Sequence, residues 1–525
     1  MKINVRRSLI QICLLAAVLA LPAVAQAQFI YTTNNGAITI TGYTGSGGAV
    51  TIPATINGLP VTSIGDHAFY ATGVTVVTIP ASVTNLGDEV FVGSTRLTVI
   101  TVDTNNPVYS SVNGVLFDKS QTTLVEYPDG LVGGYMIPNS VTSIGHYAFD
   151  SCGNLTNVTI PDSVTNIGDG AFEFSGLTRV MIGNSVIRIG ENAFAGCTGL
   201  ASVTIGNSVT SIGDQAFNDC GNLTSVMIGN SVTSIGGWAF GGDNLTSVTI
   251  GNSVTSIGDA AFYGCLNLTN ITIPDSVISI GDSAFYDCES LTSVAIKSSV
   301  MNIGVSAFNF CLSLRGITVD TNNPSYSSVD GVLFDKSQAT LIQYPASKAG
   351  SIYTIPDSVT NIEDFAFAGR SSLTSVTIPN GVNSLGFYTF STDGNLTSVY
   401  FTGNAPVAND STFVVGNFNP YYNATAYYLP GTTGWDDFSA NTGIPAIPWQ
   451  PLIQTGDASL SVRTNQFGFN IAWASGQTVV VEACTGLTNP LWQSVQTNTL
   501  TSDSSNFNDP QSSNYPARFY RLRSP

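Results

Sequence analysis

Within one stretch of this chain the apolar residues are Leu245, Val248, Ile250, Val254, Ile257, Ala261, Phe262 and Cys265, and the same set returns about every 23 residues. Neither one long helix nor one long strand has that spacing. Val248 and Ile250 alternate with Ser247 and Thr249, the period-two signature of a short strand with one buried face. Gly251-Asn252-Ser253, or Pro274-Asp275-Ser276 in a neighbouring unit, then turns the chain. Val254 and Ile257 make a second inward stretch that Gly258 ends. An Ala-Phe or equivalent step marks each turn, at Phe69, Phe91, Phe149, Phe172, Phe194, Phe217, Phe240, Phe262, Phe285, Phe308, Phe367 and Phe390. Such regularity predicts a solenoid whose coils contact only their neighbours.

Two further columns follow from the same register. After the glycine comes an acidic residue in most turns, namely Asp66, Asp88, Asp169, Glu191, Asp214, Asp259 and Asp282. One carboxylate per turn is too few for a calcium site, so the column is expected to cap the backbone N–H groups of a one-turn helical segment. Cys152, Cys197, Cys220, Cys265, Cys288 and Cys311 share a slot just past the Phe, with Ser175 in one turn. A slot that accepts Cys or Ser is expected to be small and buried, and identical stacked positions rarely offer disulfide torsions, which favours free thiols.

The pattern Leu-x-x-Val-x-Ile-Pro-x-Ser-Val-x-x-Ile-Gly-x-x-Ala-Phe-x-x-Cys, read for example against Leu268 through Cys288, resembles the BspA-type leucine-rich repeat. The resemblance implies a parallel β-sheet on one face of a solenoid with short helical or 3₁₀ turns. It also implies secreted or surface proteins that bind protein or host components without catalytic residues.

The period breaks twice, in stretches that copy each other: 101–128, opening Thr101-Val102-Asp103-Thr104-Asn105-Asn106-Pro107, and 318–345, opening Thr318-Val319-Asp320-Thr321-Asn322-Asn323-Pro324. Val115-Leu116-Phe117 and Thr123-Leu124-Val125 flank a polar turn and read as an inserted β-hairpin. Asp103, Asn105 and Asn106 are turn formers that could also meet calcium. The expected organisation is a signal peptide at 1–27, an N-terminal β cap at 28–60, a solenoid at 61–400, a second cap at 401–453 and a small antiparallel β-sandwich at 454–525. The second cap gains aromatics, among them Phe418, Tyr421, Tyr422, Tyr427, Tyr428, Trp435 and Trp449. The sandwich is read from Phe467–Trp473, Thr478–Glu482 and Arg518–Leu522. A role for it in export or surface retention is an expectation only.

Composition narrows the function. Only 10% of residues are charged and the formal net charge is −18, which disfavours nucleic acid and anionic membranes as partners. Lys2, Arg6 and Arg7 precede an apolar run from Leu9 to Leu21, and Ala25-Gln26-Ala27 supplies a small-x-small cleavage site. That is the outline of a secretory leader, and it points to a secreted or cell-surface location after cleavage near Ala27. No later stretch is long and apolar enough to span a bilayer.

Chemistry is sparse. His67 and His146 lie in separate repeats without ligand-spaced partners, and GxSxG, Walker and HExxH motifs are absent. The reading is therefore of no catalytic residues, no cofactor and no metal. Binding is expected where the repeats differ, at Tyr70, Tyr263 and Tyr286 beside the Phe, with Trp238, Phe310 and the islands' Tyr109 and Tyr326. The expected partner is an extracellular protein or glycan. A self-assembling surface layer or ice-binding-like solenoid is the alternative, and a secreted glycan-degrading enzyme the third reading.

Overall fold

The computed structural model describes residues 28–525 apart from 370–371, 392–393, 414–423, 450, 455–460, 464–465, 474–477, 489, 502–503 and 524–525. The leader read at 1–27, with Phe418, Tyr421 and Tyr422, lies outside the described residues. The chain forms two compact units. One runs to Ser337 and takes in Ile342–Lys348; the other holds Gln338–Leu341 and Ala349–Pro525.

The first unit begins with an antiparallel pair, Phe29–Asn34 against Ala37–Tyr43, closed by Asn35 and Gly36, both at positive φ as a two-residue hairpin turn requires. Ala37–Tyr43 then pairs in parallel with Leu59–Ile64, which starts the coils. Most full coils contribute two short strands, although in the coil from Leu268 to Cys288 only the second, Ser279–Ile280, forms. The inner positions of the first, such as Val203 and Ile205 in Ser202–Ile205, are buried, while Ser202 and Thr204 face out. The second strand is only two residues long, yet Ser143–Ile144, Asn166–Ile167, Arg188–Ile189, Ser211–Ile212, Ser234–Ile235, Ser256–Ile257, Ser279–Ile280 and Asn302–Ile303 pair in strict parallel register. Hydrophobic columns set that register, because a slip of one residue would turn Ile212 and its equivalents outward.

The phenylalanines form the spine of the core. From Phe149 to Phe308 successive rings stand 4.7 to 5.6 Å apart at interplanar angles of 2° to 11°. Coils of β structure repeat at about 4.8 Å, which is also a good ring-stacking distance. Full burial of each ring contributes about 2 to 3 kcal/mol.

The segment carrying each Phe is a chain of turns rather than a helix. Trp238 and Gly242, and likewise Ser306 and Phe310, sit at positive φ four residues apart. That alternation sends every second N–H to the next coil: Trp238 to the Asp259 carbonyl, Phe240 to Ala261 and Gly242 to Tyr263, each at 2.8 Å. These bonds offset the roughly 1 kcal/mol that a left-handed non-glycine residue costs.

The acidic column does something other than cap its own turn. Asp169 accepts the Glu191 N–H at 3.0 Å, Asp214 that of Gly237 at 2.7 Å, Asp259 that of Asp282 at 2.9 Å and Asp282 that of Val305 at 2.8 Å. Each carboxylate serves the coil that follows. The glycine before it is required by close approach: a Cβ on Gly213 would lie 2.5 Å from the Gly190 carbonyl carbon, and one on Gly258 2.6 Å from that of Gly236.

All seven cysteines among the described residues are free and buried. In the shared slot they also donate: Cys197 to the Phe172 carbonyl, Cys220 to Phe194, Cys265 to Phe240, Cys288 to Phe262 and Cys311 to Phe285, at 3.1 to 3.2 Å. Ser94 does the same toward Phe69 at 2.7 Å. Asp243 occupies this slot in its own coil, 1% exposed and without a well-formed hydrogen bond at either oxygen.

Each island is more than a hairpin. Tyr109–Val112 and Val115–Asp118 pair antiparallel through Asn113-Gly114, and Thr123–Glu126 then pairs in parallel with Ser143–Ile144, taking the second-strand place of a coil. Asp103 accepts the Asn105 N–H, while buried Asn106 bridges Pro80, Val83, Val108 and Tyr109, so these polar groups are spent on the turn.

In the second unit Ile352–Thr354, Ser375–Ile378, Ser398–Phe401, Thr425–Tyr428 and Ala446–Pro448 form one parallel sheet, with helix α1 (Trp435–Thr442) beside it. The aromatic-rich segment thus extends the sheet by two strands. Beyond it two antiparallel sheets, one centred on Gln466–Ala472 and one on Thr478–Cys484, enclose Phe469, Ile471, Trp473, Val479, Val481 and Phe507. The fold is a β-solenoid with a C-terminal antiparallel β region, and no helix among the described residues is long and apolar enough to cross a membrane.

Candidate binding surfaces

A repeat that stacks its buried rings also stacks whatever ring sits beside them on the outside. Tyr263 and Tyr286, each one residue past its Phe, lie 5.0 Å apart at an interplanar angle of 3°. Trp238 meets Tyr263 at 4.7 Å and Phe310 meets Tyr286 at 5.0 Å, extending the pair to four partly exposed rings across four consecutive coils. Trp238 and Phe310 reach the row from different slots, two residues before one Phe and two after another, because both are left-handed at φ 55° and 57°. Gly241 makes room, since a Cβ there would lie 2.8 Å from the Trp238 ring. Burial pushes the Tyr286 hydroxyl up to about 12, with Tyr263 and Asp287 adding to it, so Tyr286 faces a partner as a neutral hydroxyl.

The remaining expected site residues stand apart from this row. Tyr70 is exposed in an early coil against the edge of His67, at 6.1 Å. Tyr109 and Tyr326 are structural in their islands, their hydroxyls accepting the Leu86 N–H at 3.2 Å and the Ile303 N–H at 2.7 Å. The histidines pair with carboxylates of the following coil, His67 with Glu89 at 2.8 Å and His146 with Asp169 at 3.3 Å.

A second cluster escaped the sequence reading. Glu126, Asp129 and Asp150 gather with Cys152 at the first island. Asp129 is 2% exposed, takes the Cys152 thiol at 3.6 Å on one oxygen and has no partner on the other. Burial pushes Asp129 up to about 7 and Asp150 to about 6; Glu126, half-buried by surface exposure yet enclosed by protein, is pushed well above the usual range. Glu173 reaches about 7 by burial and by repulsion from Asp150 and Glu89. The signal that could have revealed the cluster lies in the duplication: Gln343 and Ala346 stand in the second island where the first has Glu126 and Asp129. The fold accepts neutral residues there. Among the described residues no group of three or more His, Cys, Asp or Glu is arranged to hold a metal ion.

Comparison with known proteins completes the description. The family model for the BspA type leucine rich repeat region matches in six copies over residues 50–133, 134–244, 239–351 and 344–419. A leucine-rich repeat protein from Bacteroides ovatus is 23% identical, covering 80% of this chain and 98% of its own, with a TM-score of 0.46. One from Eubacterium ventriosum is 23% identical over 53% of this chain and 91% of its own, TM-score 0.41. A leucine rich cell surface protein from Faecalibacterium prausnitzii is 25% identical over 82% and 94%, TM-score 0.31. No curated protein matches the chain.

Proposed function

Because this chain belongs to the BspA-type leucine-rich repeat family, we propose that it is a recognition scaffold, displayed or released outside the cell, that holds an extracellular protein or glycan without transforming it. The observation that carries the reading is the outer row Trp238, Tyr263, Tyr286 and Phe310. The core is complete without these rings, and Ala195 fills the Tyr263 slot in another coil of the same unit. Tryptophan and tyrosine are the residues that most often anchor a partner, since they offer large rigid surfaces at small entropic cost. A contiguous strip spreads many moderate contacts over successive coils, which suits a macromolecule better than a small substrate.

The test uses the chain without its leader, immobilised and challenged with a glycan array and with proteins from the surfaces the organism meets. A specific partner should be held by the natural chain and at least tenfold more weakly by the Tyr263→Ser, Tyr286→Ser variant, while circular dichroism and melting stay close to those of the parent. Undiminished capture by the double variant would sink the ladder as the contact surface. Turnover of a captured glycan would revive the enzymatic reading.

A further inference from the structure

The second unit contains a cleft of about 280 Å³ between the outward face of its parallel sheet and the start of its antiparallel sheets. Ser375 and Thr377 on one strand stand beside Ser398 and Tyr400 on the next, in parallel register, and form one wall. Trp449 and Trp473 line it as well. Tyr400 meets Trp449 at 4.4 Å and stacks on Tyr427 at 4.9 Å, so the tyrosine ring is held from two sides.

Three features of the lining select its occupant. Among the described residues that line the cleft none is charged, so an ionic ligand would find no counter-charge, and the net charge of −18 repels anions in particular. Hydroxyl groups line two adjacent strands, whose axes are about 4.8 Å apart, a span comparable with one sugar ring. Thr374 and Thr397 already donate to backbone carbonyls and Ser398 pairs with Tyr400, but a purely apolar ligand would strip water from the Ser375 and Thr377 hydroxyls, at a cost of about 1 to 3 kcal/mol for each left unpaired. The third feature is Trp473, only 3% exposed, whose indole N–H has no acceptor among the described residues. A buried donor without a partner calls for an acceptor from elsewhere.

We infer that this cleft binds one ring of a neutral glycan, with the aromatic rings of Tyr400 and Trp449 against a sugar face, the Ser and Thr hydroxyls on its edge and an ether or hydroxyl oxygen accepting from Trp473. Aromatic rings and neutral hydroxyls together match a pyranose, which has apolar C–H faces and a hydroxylated rim. The site is independent of the Trp238–Phe310 row.

The experiment titrates the chain without its leader with soluble gluco-, manno-, xylo- and galacto-oligosaccharides, and with uronic-acid oligosaccharides as the anionic control, by calorimetry and saturation-transfer NMR. A saturable signal is expected with at least one neutral series. It should be abolished by Thr377→Arg, which fills the cleft from the exposed strand face, and weakened several-fold by Trp473→Phe, which keeps a ring and removes the N–H. Ser398→Arg serves as a second filling variant should Thr377→Arg fail to fold. The inference falls if no neutral series binds, if the anionic series binds better, or if binding survives both filling variants. Loss of sugar binding in the Tyr263→Ser, Tyr286→Ser variant would place the sugar on the outer row and overturn the assignment to this cleft.

Discussion

Cys265 donates its thiol proton to the backbone carbonyl of Phe240, one coil back, at 3.2 Å. Packing alone would make the slot indifferent to polarity, whereas a donor role ranks substitutions differently. Cys265→Ser should keep most of the stability, as Ser94 already serves this role toward Phe69, while Cys265→Ala should lose about 1 to 2 kcal/mol more. Denaturant midpoints of the two variants decide it. Equal or reversed order would reduce the slot to a matter of size.

Asp243 sits where that thiol would be. Burial pushes its carboxyl up to about 10, an effect that the nearby Cys220 backbone only partly relieves. A folded-state value above the unfolded one means the group favours folding fully only below about pH 4, and that contribution is lost as pH rises toward 10. At pH 7 the cost is on the order of 4 kcal/mol. Asp243→Cys should therefore raise the unfolding midpoint strongly at pH 7 and little at pH 4. A gain of equal size at both pH values would show that ionisation is not the cause.

The first island should behave the same way over a lower range. Asp129 at about 7 and Asp150 at about 6 are both raised, so their contribution is present below about pH 4 and fades as pH climbs through 6 to 7. Replacing Glu126 and Asp129 with the residues of the second island, Glu126→Gln and Asp129→Ala, should stabilise the chain by on the order of 4 kcal/mol at pH 8. Hydrogen exchange at Thr123–Glu126, compared at pH-corrected rates between pH 5 and pH 8, should show opening that grows with pH in the parent and not in the variant.

Gly213 and Gly221 offer a matched pair. Alanine at Gly213 would press its Cβ to 2.5 Å from the backbone of the coil before, whereas at Gly221 nothing lies within 4 Å. Gly213→Ala should cost about 3 kcal/mol or prevent folding, and Gly221→Ala should fall within about 1 kcal/mol of the parent, by thermal melting. Similar melting of both would mean that the coils spread at no cost.

Much of this architecture was legible because the repeat shows each column many times over. Phe149 to Phe308, the inward Val and Ile positions and the cysteine slot all follow from spacing, and the structure stacks them. Relations between coils were harder to read. That Asp214 serves Gly237 rather than its own turn depends on which coil a carboxylate faces, and one copy of a repeat carries no sign of its neighbour. Trp238 and Phe310 were named as candidates without the row that unites them, because they join it from separate slots through left-handed backbone that spacing does not announce. Trp473 reads as an ordinary core residue until its indole N–H is found to have no acceptor among the described residues.

The bond from Asp214 to the Gly237 N–H lends the array a grammar. A coil with aspartate in this slot offers an acceptor to the one that follows, and where Gly237 stands instead the next junction keeps its backbone bonds, such as the Trp238 N–H to the Asp259 carbonyl, so a segment copied or lost between matching slots leaves each new junction bonded. Copy number can drift by recombination without retooling any interface. The outermost coils lack such a neighbour on one side, and there selection has to supply a closure of different make.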